Sequence, residues 1–143
     1  MTIYYEMKIK TKNAIQNAFI DLLLEKKFSK ITIREIATIA QVNRETVYYH
    51  YEDKFDLLSK IEGQLITQLS EKILHLTPNS VLQEARGAIS TFSKSVFQYI
   101  EYHQKVFNTF LSPHSDDAFA RTLRQIFVDQ FLSKDADHQS IAN

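Results

Sequence analysis

Between Thr32 and Tyr51 the chain carries two short helical segments, each with its own start signal and only about three residues apart. Thr32 and Glu35 form a capping box, in which each side chain satisfies a free backbone N–H at the helix start. Ile33, Ile36, Ala37 and Ala40 follow at i, i+3, i+4 and i+7, a narrow apolar stripe whose alanines let another helix come close. Asn43 is a good N-cap for the next segment, with Thr46 at its third helical position. In that segment, Arg44 to about Tyr51, Val47 and Tyr51 face inward and leave Arg44, Glu45, Tyr48 and Tyr49 to solvent or a partner. Helices of about eight residues are marginal alone because nucleation is costly. This pair therefore needs a supporting helix on either side.

The flanking sequence supplies both. An amphipathic helix is predicted from near Lys8 to Glu25, with Ile15, Ala18, Phe19, Leu22 and Leu23 on one face. Lys26, Lys27 and Lys30 follow as a solvated, basic helix end. Asp53 caps a fourth helix that carries Phe55, Leu58, Ile61, Leu65 and Leu69 inward and fades near Thr77–Pro78. Past Pro78, Ser80 and Gln83 make another capping box. A long helix then runs towards Tyr102 on Ala88, Phe92, Val96, Tyr99 and Ile100. A shorter segment, Gln104–Leu111, ends before Pro113. A last helix covers Asp117–Leu132 with Phe119, Leu123, Ile126, Phe127 and Phe131, and a polar tail, DADHQSIAN, frays beyond it. Two glycines and two prolines in 143 residues are too few for a turn-rich β fold, so the fold class is all-α.

The sequence offers little to an enzyme. It has no cysteine, no glycine-rich phosphate loop, no histidine pair at metal spacing and no isolated carboxylate pair. No catalytic residue, cofactor or metal is expected. The absence of cysteine agrees with a reducing cytoplasm. The start, MTIYYEMKIK, lacks the apolar stretch of a signal peptide, and no run of about 18 apolar residues occurs, so membrane insertion is not expected.

The stretch TIREIATIAQVNRETVYYHYEDKFDLL resembles the DNA-binding signature of the TetR family of transcriptional regulators. Thr32, Ile33, Ile36, Ala37, Ala40, Val42, Thr46, Val47, Tyr48, His50, Tyr51, Lys54 and Leu57 carry the match, unbroken from Thr32 to Leu57. Ile15, Ala18 and Phe19 of the upstream helix also fit. YIEYHQKVFNTFLS and FARTLRQIF resemble, more loosely, the regulatory domains of a branch common in Gram-positive bacteria. The resemblance implies a three-helix helix-turn-helix DNA-binding head, residues 1–54, joined through the fourth helix to a helical regulatory and dimerisation body, residues 55–143. Family members commonly run several dozen residues further, and their last two helices build the dimer interface. The body is thus expected either to lack that region or to dimerise through its existing helices.

The resemblance also assigns roles. The second short helix enters the major groove, where Arg44, Glu45 and Tyr49 meet base edges; Arg44 could bond guanine bidentately and Glu45 accept from cytosine. Thr46 belongs to the same matched helix. Thr32, Tyr48, His50 and Lys54 contact phosphates, Thr32 and Lys54 from helix starts that favour an anion. Lys8, Lys10 and Lys12 add a flexible electrostatic arm. The implied partners are a palindromic double-stranded operator, a second copy of the chain and a small effector that controls repression. The family usually has glycine in the turn where this chain has Gln41. A positive φ there would cost roughly 1 kcal/mol.

Plainer readings stand beside these. Tyr51 reads as core, sharing a face with Val47, whereas Tyr48 and Tyr49 give the short helix its wet side. His50 reads as a phosphate or solvent contact rather than a metal ligand. His75, His103 and His114 read as surface or helix-end histidines. The aromatic stripe Phe92, Phe97, Tyr99, Phe107, Phe110, Phe119 and Phe127 reads mostly as core. Charge is close to balanced: residues 1–60 hold ten Lys/Arg against eight Asp/Glu, and the remainder seven against nine. That weak asymmetry, with the acidic Glu45, Glu52 and Asp53, keeps a second function open. In it the chain is an interaction protein or coactivator that keeps the fold without binding DNA on its own.

Overall fold

A computed structural model of the chain describes residues 2–73, 91–112 and 117–139. Those residues form seven α-helices and no strand. In order they are α1 (Thr2–Glu25), α2 (Ile33–Ala40), α3 (Arg44–His50), α4 (Lys54–Ile73), α5 (Thr91–Tyr102), α6 (Gln104–Phe110) and α7 (Ala118–Gln139), with a single 3-10 turn, Phe28–Lys30, between α1 and α2. The all-α class read from the sequence is the class observed. The Ser80–Gln83 box, Ala88, the break at Pro113, His75 and His114 lie outside the described residues, as do the side chains of Phe92 and Phe131.

The chain divides into two compact units, Met1–Gly63 and Gln64–Asn143. The division falls inside α4 rather than between residues 54 and 55. Its first turns belong to the head because Leu57 and Ile61 are buried there. Around them lie Ile15, Phe19, Ile31, Ile36, Val47 and Tyr51, all withdrawn from water. At roughly 1.5–3 kcal/mol per buried aliphatic or aromatic side chain, this cluster is what makes α2 and α3 stable.

Several local expectations change. α1 begins at Thr2, not near Lys8, so Lys8, Lys10 and Lys12 stand on a helix rather than in a flexible arm. No proline or glycine interrupts MTIYYEMKIK, and helix propagation therefore continues through it. Ile20 joins the buried face of α1, and Leu23 is only half-buried. Lys26 is not simply solvated, since it pairs with Glu35. In α4 the buried line is Leu57, Ile61, Leu65, Leu69 and Ile73, which leaves Leu58 half-buried and Phe55 63% exposed. Phe55 lies two residues, about 200° of helix, from Leu57. Its ring instead meets Phe28 edge-on, with centroids 5.0 Å apart.

The capping box at α2 is present in full: Glu35 N–H donates to Thr32 Oγ1 (3.2 Å) and Thr32 N–H to Glu35 Oε2 (3.0 Å). Asp53 Oδ1 accepts from Asp56 N–H at 2.7 Å and so caps α4. Asn43 differs. Its backbone is extended (φ −75°, ψ 153°), but its side chain makes no capping bond. Its carbonyl alone receives the N–H of Thr46 and Val47.

Gln41 ends α2 in the left-handed region, at φ 57° and ψ 43°. Its N–H reaches Thr38 O at 3.2 Å, and that of Val42 reaches Ala37 O at 3.0 Å, closing the last turn of the helix. The turn therefore does require the positive φ that glycine adopts without a Cβ clash. Gln41→Gly should raise the stability of the head by about 1 kcal/mol, read as an upward shift of the denaturation midpoint at unchanged m-value. An unchanged or lowered midpoint would refute the strain.

In the second unit the aromatic side chains largely form the interior. Phe107, Phe110 and Phe119 are buried, and the rings of Phe110 and Phe119 lie 5.2 Å apart. Val96 and Leu123 are buried as well, and Phe127 is half-buried. Phe97 departs from the expected stripe at 70% exposure, because it is adjacent to Val96 and points some 100° away from it. Tyr99 donates to Gln68 Oε1 at 2.6 Å, and Lys72 Nζ lies 5.3 Å from its ring centroid, tying α5 to the second half of α4. α7 runs to Gln139, beyond the expected end at Leu132. No helix among the described residues is long and apolar enough to cross a membrane.

Candidate nucleic-acid interface

Two buried side chains set the rotation of α3. Val47 is wholly buried, and Tyr51, the residue that ends the helix, is 1% exposed. The Tyr51 hydroxyl accepts from Gln16 Nε2 of α1 at 3.0 Å, which holds the ring in register. With Val47 inward, Glu45 and Tyr49 fall about 160–200° round the helix, on its outermost ridge. Tyr48 and, one turn before it, Arg44 lie along one side of that ridge. All four are exposed, Tyr49 at 66% and Tyr48 at 47%, while Thr46 is half-buried. A seven-residue helix is about 10 Å long, a rod that fits a B-DNA major groove about 12 Å wide. The ridge presents one guanidinium, one carboxylate and two phenols, a set able to read base edges and reach phosphates.

The four other assigned residues are placed differently. Thr32 is exposed, yet its hydroxyl accepts from Glu35 N–H and donates to Glu35 Oε2 at 3.1 Å. The Glu35 carboxylate thus already occupies the anion-attracting end of α2. The Lys26 ammonium, followed by the Thr32 backbone N–H, holds it below the usual carboxylate range. Lys54 is also engaged. Its ammonium donates to the carbonyls of Phe28 (2.9 Å), Ile31 (3.0 Å) and Ser29 (3.4 Å) and lies 4.6 Å from the Phe28 ring centroid. Instead of facing outward as a phosphate contact, it clasps the turn that leads into α2.

His50 ends α3 half-buried, its imidazole 5.1 Å from the Tyr49 ring centroid. Burial first, then the charges of Lys12 and Lys8, push its pKa below the ordinary histidine value. Those two lysines are what sequence reasoning misplaced. The only available sign was the lack of a helix breaker in the first ten residues, which makes α1 continuous and carries Lys8 to 5.4 Å from the Tyr49 ring centroid. No group of three or more His, Asp or Glu that could hold a metal occurs among the described residues.

Residues 17–61 match the family described as bacterial regulatory proteins, tetR family. The chain is 36% identical over 88 residues to an uncharacterized HTH-type transcriptional regulator, YxbF, of Bacillus subtilis (strain 168), covering 57% of this chain and 22% of the relative. It is 32% identical over 81 residues to the HTH-type transcriptional repressor BepR of Brucella suis biovar 1 (strain 1330), covering 52% of this chain and 39% of the relative. The chain therefore spans well under half the length of these curated relatives. No solved structure matches it.

Proposed function

We propose, on the match of residues 17–61 to the tetR family of bacterial regulatory proteins, that the chain is a sequence-specific DNA-binding transcriptional repressor, acting as a two-fold dimer on a palindromic operator. The observation that carries this reading is the outward ridge of α3. Arg44, Glu45, Tyr48 and Tyr49 are all exposed and are held rigid from behind by Val47 and Tyr51. Arg44, Glu45 and Tyr49 read bases, and Tyr48 and His50 contact the backbone. Thr32 and Lys54 support them from within the head. The direction of control, repression, follows the name of the Brucella relative. Release by a small effector rests on the family resemblance and on the aromatic interior of the second unit. A chain that works on DNA acts where bacterial DNA lies, in the cytoplasm.

A second reading has its own support: two of the assigned phosphate contacts, Thr32 and Lys54, are engaged internally, and the whole chain carries net charge zero. In that reading the chain is an interaction protein or coactivator. Selection of bound duplexes from a random pool separates the two. A palindromic consensus, with half-sites one helical turn or a multiple apart, is the expected result. Failure to enrich any sequence at about 50 mM salt would leave the interaction protein.

A further inference from the structure

α1 extends beyond its buried face. Ile15 to Leu22 supply its core residues, whereas residues 2–10 are exposed throughout, so the first turns project from the head as helix. Lys8 and Lys12, one turn apart, share a side of that projection. Lys8 reaches over the Tyr49 ring, and that ring meets the His50 imidazole edge to face. Three basic side chains from two elements therefore gather beside the outward ridge of α3. Neither lysine has an ion-pair partner among the described residues.

The charged groups nearest this cluster from α4 do not neutralise it. Lys60 has its Nζ 3.5 Å from the His50 carbonyl oxygen and 5.3 Å from the Tyr51 ring centroid, but it is paired with Asp56 and adds no net charge. The Asp56 carboxylate is taken up by Lys60 at 3.1 Å and by the Glu52 N–H at 3.0 Å. On the His50 side of α3, the Tyr51 phenol, neutral at physiological pH and pushed up further by burial, is hydrogen-bonded to Gln16. Like charges assembled without a counter-ion repel, and an anion placed among them relieves that repulsion.

We propose, building on the DNA-binding reading above, that Lys8, Lys12 and His50 form one site for a backbone phosphate of the duplex, and that His50 takes up a proton as the phosphate docks. In the free head, burial and the two ammonium groups keep the imidazole neutral near pH 7. A phosphate between the lysines cancels their field and adds a negative charge beside the ring, which raises its pKa. One proton moves from solvent to an imidazole nitrogen, and no other bond changes. Below the free-state pKa both forms are protonated, and affinity is at its maximum. As pH climbs through the bound-state pKa the proton is lost and affinity falls. Binding thus tightens on acidification, by about tenfold for each unit separating the two pKa values.

The test uses the full chain and a generic duplex of about 20 bp at about 50 mM salt, with affinity read by fluorescence anisotropy at pH 8 and pH 6. Wild type should gain about 3–10-fold more affinity on acidification than His50→Gln. Lys8→Gln/Lys12→Gln should lower the salt slope by about one unit, and its His50 imidazole should titrate closer to the ordinary histidine value by NMR. These side chains are exposed or half-buried, so the variants keep the fold. If His50→Gln follows the wild-type pH profile, or the double variant keeps the full salt slope, the phosphate site is overturned while DNA binding stands. If wild type binds no duplex at all, both proposals fall together.

Discussion

Arg44→Ala/Tyr49→Ala should lose roughly 100-fold in affinity for the selected operator while binding an unrelated duplex about as well as wild type. Both side chains leave the outward ridge of α3, and neither is part of the head's core. Folding should therefore be unchanged, with the same helical circular dichroism and denaturation midpoint. A bidentate guanidinium–guanine contact discriminates by about 1–3 kcal/mol, and loss of the phenol adds a second term from the same ridge. Tyr49 also lies under the Lys8 ammonium. A single Tyr49→Phe change, which keeps the ring and removes the hydroxyl, separates that cation–π contact from hydrogen bonding to the duplex. Equal loss on operator and unrelated DNA would mean that the ridge serves general backbone attraction and that base reading lies elsewhere.

What the sequence made legible was the local part of the head. Thr32 with Glu35, and Asp53, are start signals that act over three residues, and each is found bonded as expected. The inward pair Val47 and Tyr51 followed from helical spacing, and so did the exposure of Tyr48 and Tyr49. The positive φ of Gln41 was legible only through the family resemblance, since nothing local in the residue demands it. Contacts between residues far apart in the chain were not legible. Gln16 to Tyr51 spans 35 positions, and Lys54 to Phe28 spans 26. Aromatic residues misled twice, because Phe55 and Phe97 sit beside buried aliphatics and were read into the same face. The first turns of α1 were missed because an exposed helix carries no amphipathic pattern to reveal it.

Lys54→Met should destabilise the head by about 2 kcal/mol, with little change in the salt dependence of DNA binding. The ammonium offers three hydrogens and has three carbonyls around it, those of Phe28, Ser29 and Ile31. Charge-assisted bonds of this kind are about twice as strong as neutral ones, and removing the donor leaves partly buried acceptors short of a partner. Methionine keeps most of the aliphatic stem over the Phe28 ring and so isolates the loss of charge. The consequence reaches the interface through geometry. The clasped turn leads directly into Ile31 and Thr32, hence into the start of α2, whose packing positions α3. Specific affinity should therefore fall through disorder of the head and recover when the variant is stabilised, for example by Gln41→Gly. A Lys54 that faced a phosphate would give the opposite signature, an unchanged denaturation midpoint with the salt slope reduced by about one unit. That outcome would show that the ammonium leaves its carbonyls when DNA arrives.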